Sequence, residues 1–225
     1  MTRLLILLLA ASFATAAIAA EDKSGPNVAT GKAAPTESNA RLIFLAAELE
    51  DLGRQKKDPV LLLNAARLYM DATGKETKVA VERTGGEGDK TAKGKLATAK
   101  DLLDLARTYA QGWDEMVALI DTMGGISLKG NSGGAKFVRD TISSRGKATY
   151  TFEFYSQEFA EATVRGDGAG DLDLTVTDEN GNVICQSKGN REREYCSWFP
   201  RWKGQFKVNV QNQGTGASNY RLYTN

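Results

Sequence analysis

The chain runs to 225 residues with no histidine and a nearly even charge balance, 29 lysines and arginines against 28 aspartates and glutamates. Without histidine, Ser-His and Cys-His nucleophile systems, histidine-ligated zinc and histidine general-base chemistry are excluded. The even balance gives no electrostatic footprint for nucleic acid or an anionic membrane, and no Gly-rich loop between a strand and a helix offers a nucleotide its phosphate cradle.

Residues 1–20 read as a secretory signal peptide. Arg3 supplies the positive start, Leu4 to Leu9 and the alanines after them the apolar stretch, and Ala17-Ile18-Ala19 a small-x-small cleavage site. The apolar run is short for a spanning helix and no later segment is long enough to span. The expected product is periplasmic or secreted, with no transmembrane anchor after cleavage. In such an oxidising compartment Cys185 and Cys196 are expected to pair, closing a short loop worth about 2–3 kcal/mol. Two metal-binding thiols are the weaker alternative, because no histidine or third cysteine completes a zinc shell.

Residues 21–37 scatter Gly25, Pro26, Gly31 and Pro35 among polar residues and predict a flexible leader. The region 38–125 is predicted helical. Leu42, Ile43, Leu45, Ala46, Leu49 and Leu52 recur at helical spacing, with Glu48, Glu50, Asp51 and Arg54 on the other side. Asp58-Pro59 is a helix-start signal for a second amphipathic run through Tyr69, stopped by Gly74, and the short connection makes an αα-hairpin. An insert at about 74–95, rich in Gly, Lys, Glu and Thr, predicts an exposed flexible connection that conceals at most a strand-like piece at Thr77 to Val81. Helical spacing returns from Leu96 to Ile120, with Gly112 bending or splitting it, Gly124-Gly125 ending it, and Trp113, Met116 and Met123 read as core.

From residue 126 to 225 the pattern is β. Runs at Phe137–Ile142, Thr149–Phe154, Phe159–Val164, Leu172–Val176, Val183–Gln186, Glu194–Trp198, Gln205–Val210 and Tyr220–Tyr223 are separated mostly by Gly, Asn, Asp or Ser. Leu172, Leu174 and Val176 alternate with polar residues, and Asp178-Glu179-Asn180-Gly181 then turns the chain into a hairpin. Regular short strands of this kind predict a β-sandwich, so the fold class is α+β in two parts: a small N-terminal helical bundle or hairpin followed by an all-β sandwich.

Two resemblances add to this reading. The segments Leu62–Tyr69 and Leu102–Tyr109 resemble tetratricopeptide-type helices, but one and a half units make a small bundle rather than a solenoid. From about Lys136 to Asn225 the chain resembles the bacterial pre-peptidase C-terminal domain. The likeness lies in Gly166-Asp167-Gly168, Asp171-Leu172-Asp173-Leu174, the hairpin Asp178 to Asn182, Gly204 to Val210 and the closing Tyr220-Arg221-Leu222. The resemblance implies a jelly-roll-like sandwich of exported proteins, often appended to peptidases and serving binding, targeting or folding, with calcium, collagen or polysaccharide as ligands of some members. No peptidase domain precedes it in this chain.

Asp167, Asp171 and Asp173 are the candidate calcium ligands, three hard-oxygen carboxylates close in sequence, with Asp178 and Glu153 as further candidates. The plainer reading gives them turn and surface duty. Trp202, Phe199 and Arg201, with Trp198 and Lys203 beside them, are a candidate exposed platform for a glycan or partner protein, unless Trp198 fills the core and Trp202 covers an edge. Arg191 to Glu194 read as a solvated charged edge. The expected function is non-catalytic binding in the bacterial envelope or exterior, to an envelope protein or polysaccharide. Glycan binding through exposed aromatics and an envelope hydrolase using carboxylates are the rivals; no catalytic residue is assigned.

Overall fold

The computed structural model describes residues 23–86, 91–92, 94–125 and 133–225. The expected signal peptide lies outside the described residues, as do parts of the insert and of the junction before the sandwich. Among the described residues the elements in chain order are α1 (Asn39–Lys56), α2 (Pro59–Ala72), β1 (Thr73–Glu76), β2 (Val81–Gly85), α3 (Ala99–Tyr109), α4 (Asp114–Gly124), β3 (Ala135–Ile142), β4 (Gly146–Phe154), β5 (Ala160–Gly166), β6 (Leu172–Thr177), β7 (Val183–Ser187), β8 (Arg193–Trp198), β9 (Gly204–Asn212) and β10 (Ser218–Thr224). None of the described helices is long and apolar enough to cross a membrane.

The helix boundaries follow local chemistry. α1 stops at Lys57, which takes a left-handed conformation (φ 53°). Asp58 then caps α2, its carboxylate accepting from the backbone N–H groups of Val60 (2.8 Å) and Leu61 (3.2 Å), with Pro59 at the first helical position. The two helices approach closely at Gly53, where a Cβ would sit 2.9 Å from Leu62 side-chain carbons. Thr98 and Asp101 form a reciprocal capping box on α3, and the turn containing Gly112 (φ 85°) splits the last helical run into α3 and α4.

The strands form two five-stranded sheets, β1-β3-β10-β5-β8 and β2-β4-β9-β6-β7. β6 pairs with β7, β5 with β8, β4 with β9 and β3 with β10, all antiparallel. The sandwich is therefore one long nested hairpin, centred on the turn after β6 and rolled so that successive pairs fall in alternate sheets, which is a jelly roll. Between the sheets lie Tyr150, Phe154, Val164, Leu172, Leu174, Val176, Trp198, Phe206, Val208, Val210, Tyr220 and Leu222, all buried. Phe154 meets Trp198 edge-on at 4.9 Å. Cys185 on β7 and Cys196 on β8 form a disulfide that joins the edges of the two sheets.

The helices cover the outer face of β1-β3-β10-β5-β8. Ile43, Leu62, Leu102, Met116 and Ile120 share a second apolar cluster with Ala135, Phe137 and Tyr223 of that sheet. β5 is consequently buried on both faces.

Two expectations about flexible segments are corrected. The insert supplies an edge strand to each sheet, β1 running parallel to β3 and β2 antiparallel to β4, and Arg83 of β2 pairs with Asp140 at 2.5 Å. The strand-like piece expected at Thr77–Val81 falls mostly between these two strands. Its pairing is set by the unsatisfied edges of the sandwich rather than by apolar content of its own. The leader, expected to lack structure, is pinned at Asn27, which is fully buried.

Candidate binding cleft

α1 rests on β5 and β8 through charged and polar side chains. Glu161 of β5, 1% exposed, accepts from the Ser38 hydroxyl (2.5 Å), the Ala40 N–H (3.1 Å) and the Tyr195 hydroxyl (3.2 Å). The Ser38 side chain does not cap its own helix. The strand carboxylate does so instead and also meets the positive end of the helix dipole. Farther along β5, Arg165 pairs with Glu50 of α1, donates to the Ala97 carbonyl at 3.0 Å and lies over the Tyr69 ring at 4.4 Å. The Tyr69 hydroxyl donates to Glu50 at 3.2 Å. Four strand residues span about 13 Å and ten helix residues about 15 Å, so the spacings 161/165 and 40/50 match. Burial opposes the Arg165 charge, but Tyr69 and the Glu50 carboxylate outweigh it and hold the guanidinium pKa above its ordinary value. Burial pushes the Tyr69 phenol well up.

Beside this seam opens a cleft of about 610 Å³ between the end of α1, the segment before α3, the Gly166–Gly170 loop and the loop leading into β8. Glu192 fills the loop. Its two carboxylate oxygens accept from the backbone N–H groups of Gly168 and Gly170. A Cβ at Gly166 or Gly170 would sit 2.5 Å from a Glu192 oxygen, so a larger residue at either would displace Glu192 from the loop. Burial pushes the Glu192 carboxyl above the usual range, against the lowering pull of the Ser218 hydroxyl and the loop N–H groups. Asp167 faces the other way and accepts from Asn219 N–H (3.1 Å), Asn219 Nδ2 (2.9 Å) and Ser218 Oγ (3.3 Å), tying the loop to β10.

The charges of the cleft differ in how they are satisfied. Glu50, Asp51, Asp167 and Glu192 all receive donors from the protein itself. The cations Arg54, Lys95 and Arg191 are 43%, 79% and 64% exposed, and of the carboxylates Asp51 is also exposed, at 47%. Their ion pairs with Glu50, Asp101 and Asp51 leave donors of each facing water.

The structure does not bring the three aspartates expected to bind calcium into one ligand set. Asp167 is held by β10, while Asp173 is buried and accepts from Gln213 Nε2 at 3.0 Å. Asp171 has one buried carboxylate oxygen without a partner, and the nearby Glu194 carboxyl is pushed up by burial and by the Asp173 and Asp171 charges. Among the described residues no group of three or more His, Cys, Asp or Glu is placed to hold a metal ion. Asp178 accepts from the N–H groups of Asn27 (2.9 Å), Asn180 (3.0 Å) and Asn182 (2.8 Å). Burial works against its charge, but these donors and the Asn182 amide hold its carboxyl below the usual value. Glu153 pairs with Lys203 at 2.9 Å.

The expected aromatic platform is also corrected. Trp202 is 1% exposed, too buried for stacking with a ligand. Asn27 brackets its backbone, accepting from Trp202 N (3.0 Å) and donating to Trp202 O (3.1 Å), while the indole N–H donates to Glu179 at 2.5 Å. Phe199 is half-buried against Phe159, its ring approached by the Lys32 ammonium at 5.2 Å. Arg201 is exposed, lies over Trp202 and donates to the Ser24 carbonyl at 3.3 Å. These residues hold the leader to the sandwich. Trp198, 4% exposed, fills the core.

Sequence reasoning missed Arg54, Lys95, Arg165, Arg191 and Glu192 as one cluster. The available signals were the glycine-rich loop at 166–170 and an arginine inside the apolar alternation of β5.

No protein-family profile matches the chain, and no curated protein matches it. Among solved structures it is similar to the pre-peptidase C-terminal domain of a collagenase from Bacillus anthracis, with 17% identity and a TM-score of 0.34 over 40% of this chain and 89% of that one. A periplasmic inhibitor of g-type lysozyme from Aeromonas hydrophila is 12% identical, with a TM-score of 0.31 over 40% of this chain and 83% of its own. The C-terminal CBM6 of a marine laminarinase from Zobellia galactanivorans is 15% identical, with a TM-score of 0.25 over 36% and 75%. Likenesses this distant say nothing of ligand or chemistry.

Proposed function

We propose that the chain is an exported, non-catalytic binding protein whose ligand is an acidic polysaccharide bound in the cleft between α1 and the Gly166–Gly170 loop. One observation carries the reading: the carboxylates of the cleft have donors inside the protein, whereas Arg54, Lys95 and Arg191 point donors outward. Such a rim favours carboxylate or sulfate groups. A single exposed contact is worth at most about 1 kcal/mol, so useful affinity comes from several groups along one polymer. The disulfide fits an oxidising compartment. Calcium has no part in this reading.

The test is retention on polygalacturonate against neutral dextran. Binding is expected only to the acidic polymer and is expected to weaken as salt shortens the Debye length from about 10 Å towards 3 Å. Arg191→Glu should weaken it by about tenfold, the effect of roughly 1.4 kcal/mol. Equal retention on both polymers, or none on either, overturns the proposal.

The raised carboxyl of Glu192 favours one rival, a hydrolase using it as general acid in the same cleft. Both its oxygens are engaged by loop N–H groups, which favours a structural role. New reducing ends released from the same polymer by the parent protein and lost in Glu192→Gln would establish the rival.

A further inference from the structure

α1 carries a second row of leucines besides the face it buries. Ile43, Ala46, Ala47, Glu50 and Gly53 point into the protein. Leu42, Leu45, Leu49 and Leu52 follow at spacings of three, four and three on the adjacent side; Leu42 and Leu49 are partly buried against the helical core, and Leu45 and Leu52 are 43% and 42% exposed. Leu42 and Leu49 form one wall of a groove whose other wall is Leu61 and Leu68 of α2. Alternating three-four spacing is the seam of a coiled coil, in which such residues meet a partner helix. It differs from the broad stripe of a helix finished by its own domain.

We propose that this seam pairs with the same seam of a second copy, α1 against α1 in antiparallel orientation about a two-fold axis that crosses the leucine seam at the level of residue 47. The occupant follows from symmetry and charge. With the axis at that level, Leu42 faces the second copy's Leu52 and Leu45 faces its Leu49, so each leucine meets a leucine. This is the layer pattern of an antiparallel pair. The same register brings Glu37, which lines one end of the groove, against Lys56 and Lys57 at the far end of the second α1, and the two-fold axis repeats the contact. Glu37, Lys56 and Lys57 are exposed, and none has an ion pair of its own among the described residues. A parallel pair would instead set Glu37 against Glu37 and lysines against lysines. The surface is independent of the acidic-ligand cleft, and failure of either proposal leaves the other standing.

Sedimentation equilibrium of the purified protein tests the pairing. A concentration-dependent dimer is expected, and Leu45→Glu or Leu52→Glu should raise its dissociation constant about 30-fold or more, as for a central contact worth at least 2 kcal/mol. Both side chains are exposed, so the variants should keep the parent circular dichroism and melting midpoint at low concentration. Glu37→Lys alone should weaken the dimer, and its combination with Lys56→Glu and Lys57→Glu should restore it. A monomer at every concentration up to about 100 μM, where contacts of this size act, overturns the proposal. So does a dimer indifferent to both leucine changes, or a charge reversal that fails to rescue.

Discussion

The two faces of the sheet β1-β3-β10-β5-β8 are both covered, but by different means. Towards the other sheet it presents Val138, Ala162, Val164, Tyr220 and Leu222, a surface that asks mainly for apolar area of about the right shape, with the Tyr220 hydroxyl meeting that of Tyr150 at 2.6 Å. Towards the helices it presents Glu161, Thr163 and Arg165 from β5, with Phe137 and Tyr223 alongside. Each charge on that face needs one matching group in one place: Glu161 the start of α1, and Arg165 the Glu50 carboxylate. The first face holds the sheets together with wide tolerance. The second fixes where α1 sits, and with it the wall of the cleft.

The sharpest way to break the comparison is to remove one charge from the helix side. Arg165→Met should destabilise the protein by about 3–5 kcal/mol in urea unfolding, because it strands Glu50, whereas Arg165→Met with Glu50→Leu should recover most of the loss. Leu174→Ala, on the apolar side of the sandwich, should cost about 2–5 kcal/mol, and no second substitution at a neighbour should rescue it by charge. Full recovery of the single Arg165 variant to parental stability would show that the seam is as tolerant as the core.

Next in size is the disulfide across the sandwich edge. Cys185→Ser with Cys196→Ser should lower stability by about 2–3 kcal/mol in the same assay, with the fold kept by the apolar core. A loss confined to the helices, read by far-ultraviolet circular dichroism, would contradict its placement between the sheets.

The smallest effect concerns the cap of α3. Side-chain and backbone hydrogen bonds with Thr98 hold the Asp101 carboxyl down at about 2. Its folded pKa is thus below its unfolded one. The contribution is complete above the ordinary carboxyl value near 3.8 and disappears as pH falls through about 2. Because Asp101 is partly exposed, Asp101→Asn should cost only about 1 kcal/mol or less at neutral pH, and its stability should converge with that of the parent in acid. A constant gap across that window would remove the cap from the account.

What the sequence made legible follows the same division. The alternation of β6, β9 and β10, the turn at Asp178–Gly181, the Asp58-Pro59 start of α2 and the pairing of the cysteines are local or periodic signals, and the structure carries each of them. Glu161 and Arg165 are polar residues on the outward side of a strand, and nothing near them in the chain shows that a helix lies above. Trp202 stays open in the sequence between an exposed platform and an edge cover for a related reason. The residue that encloses it, Asn27, is 175 positions away in a segment of low apolar content. The insert strands were hidden because edge strands borrow their hydrogen bonds from a sheet completed by later sequence.

The position of β10 has a consequence in time. This strand, Ser218–Thr224, lies between β3 and β5 and supplies Tyr220 and Leu222 to one apolar cluster and Tyr223 to the other. Neither cluster closes until β10 is in place. The innermost pair, β6 with β7, closes the shortest loop, whereas β3 with β10 encloses β4 to β9 and so carries the largest closure cost. The helical hairpin is therefore expected to keep Ile43 and Leu62 uncovered until the sheet beneath it has assembled from its centre outward. Pulsed hydrogen exchange should find β6 and β7 protected before α1.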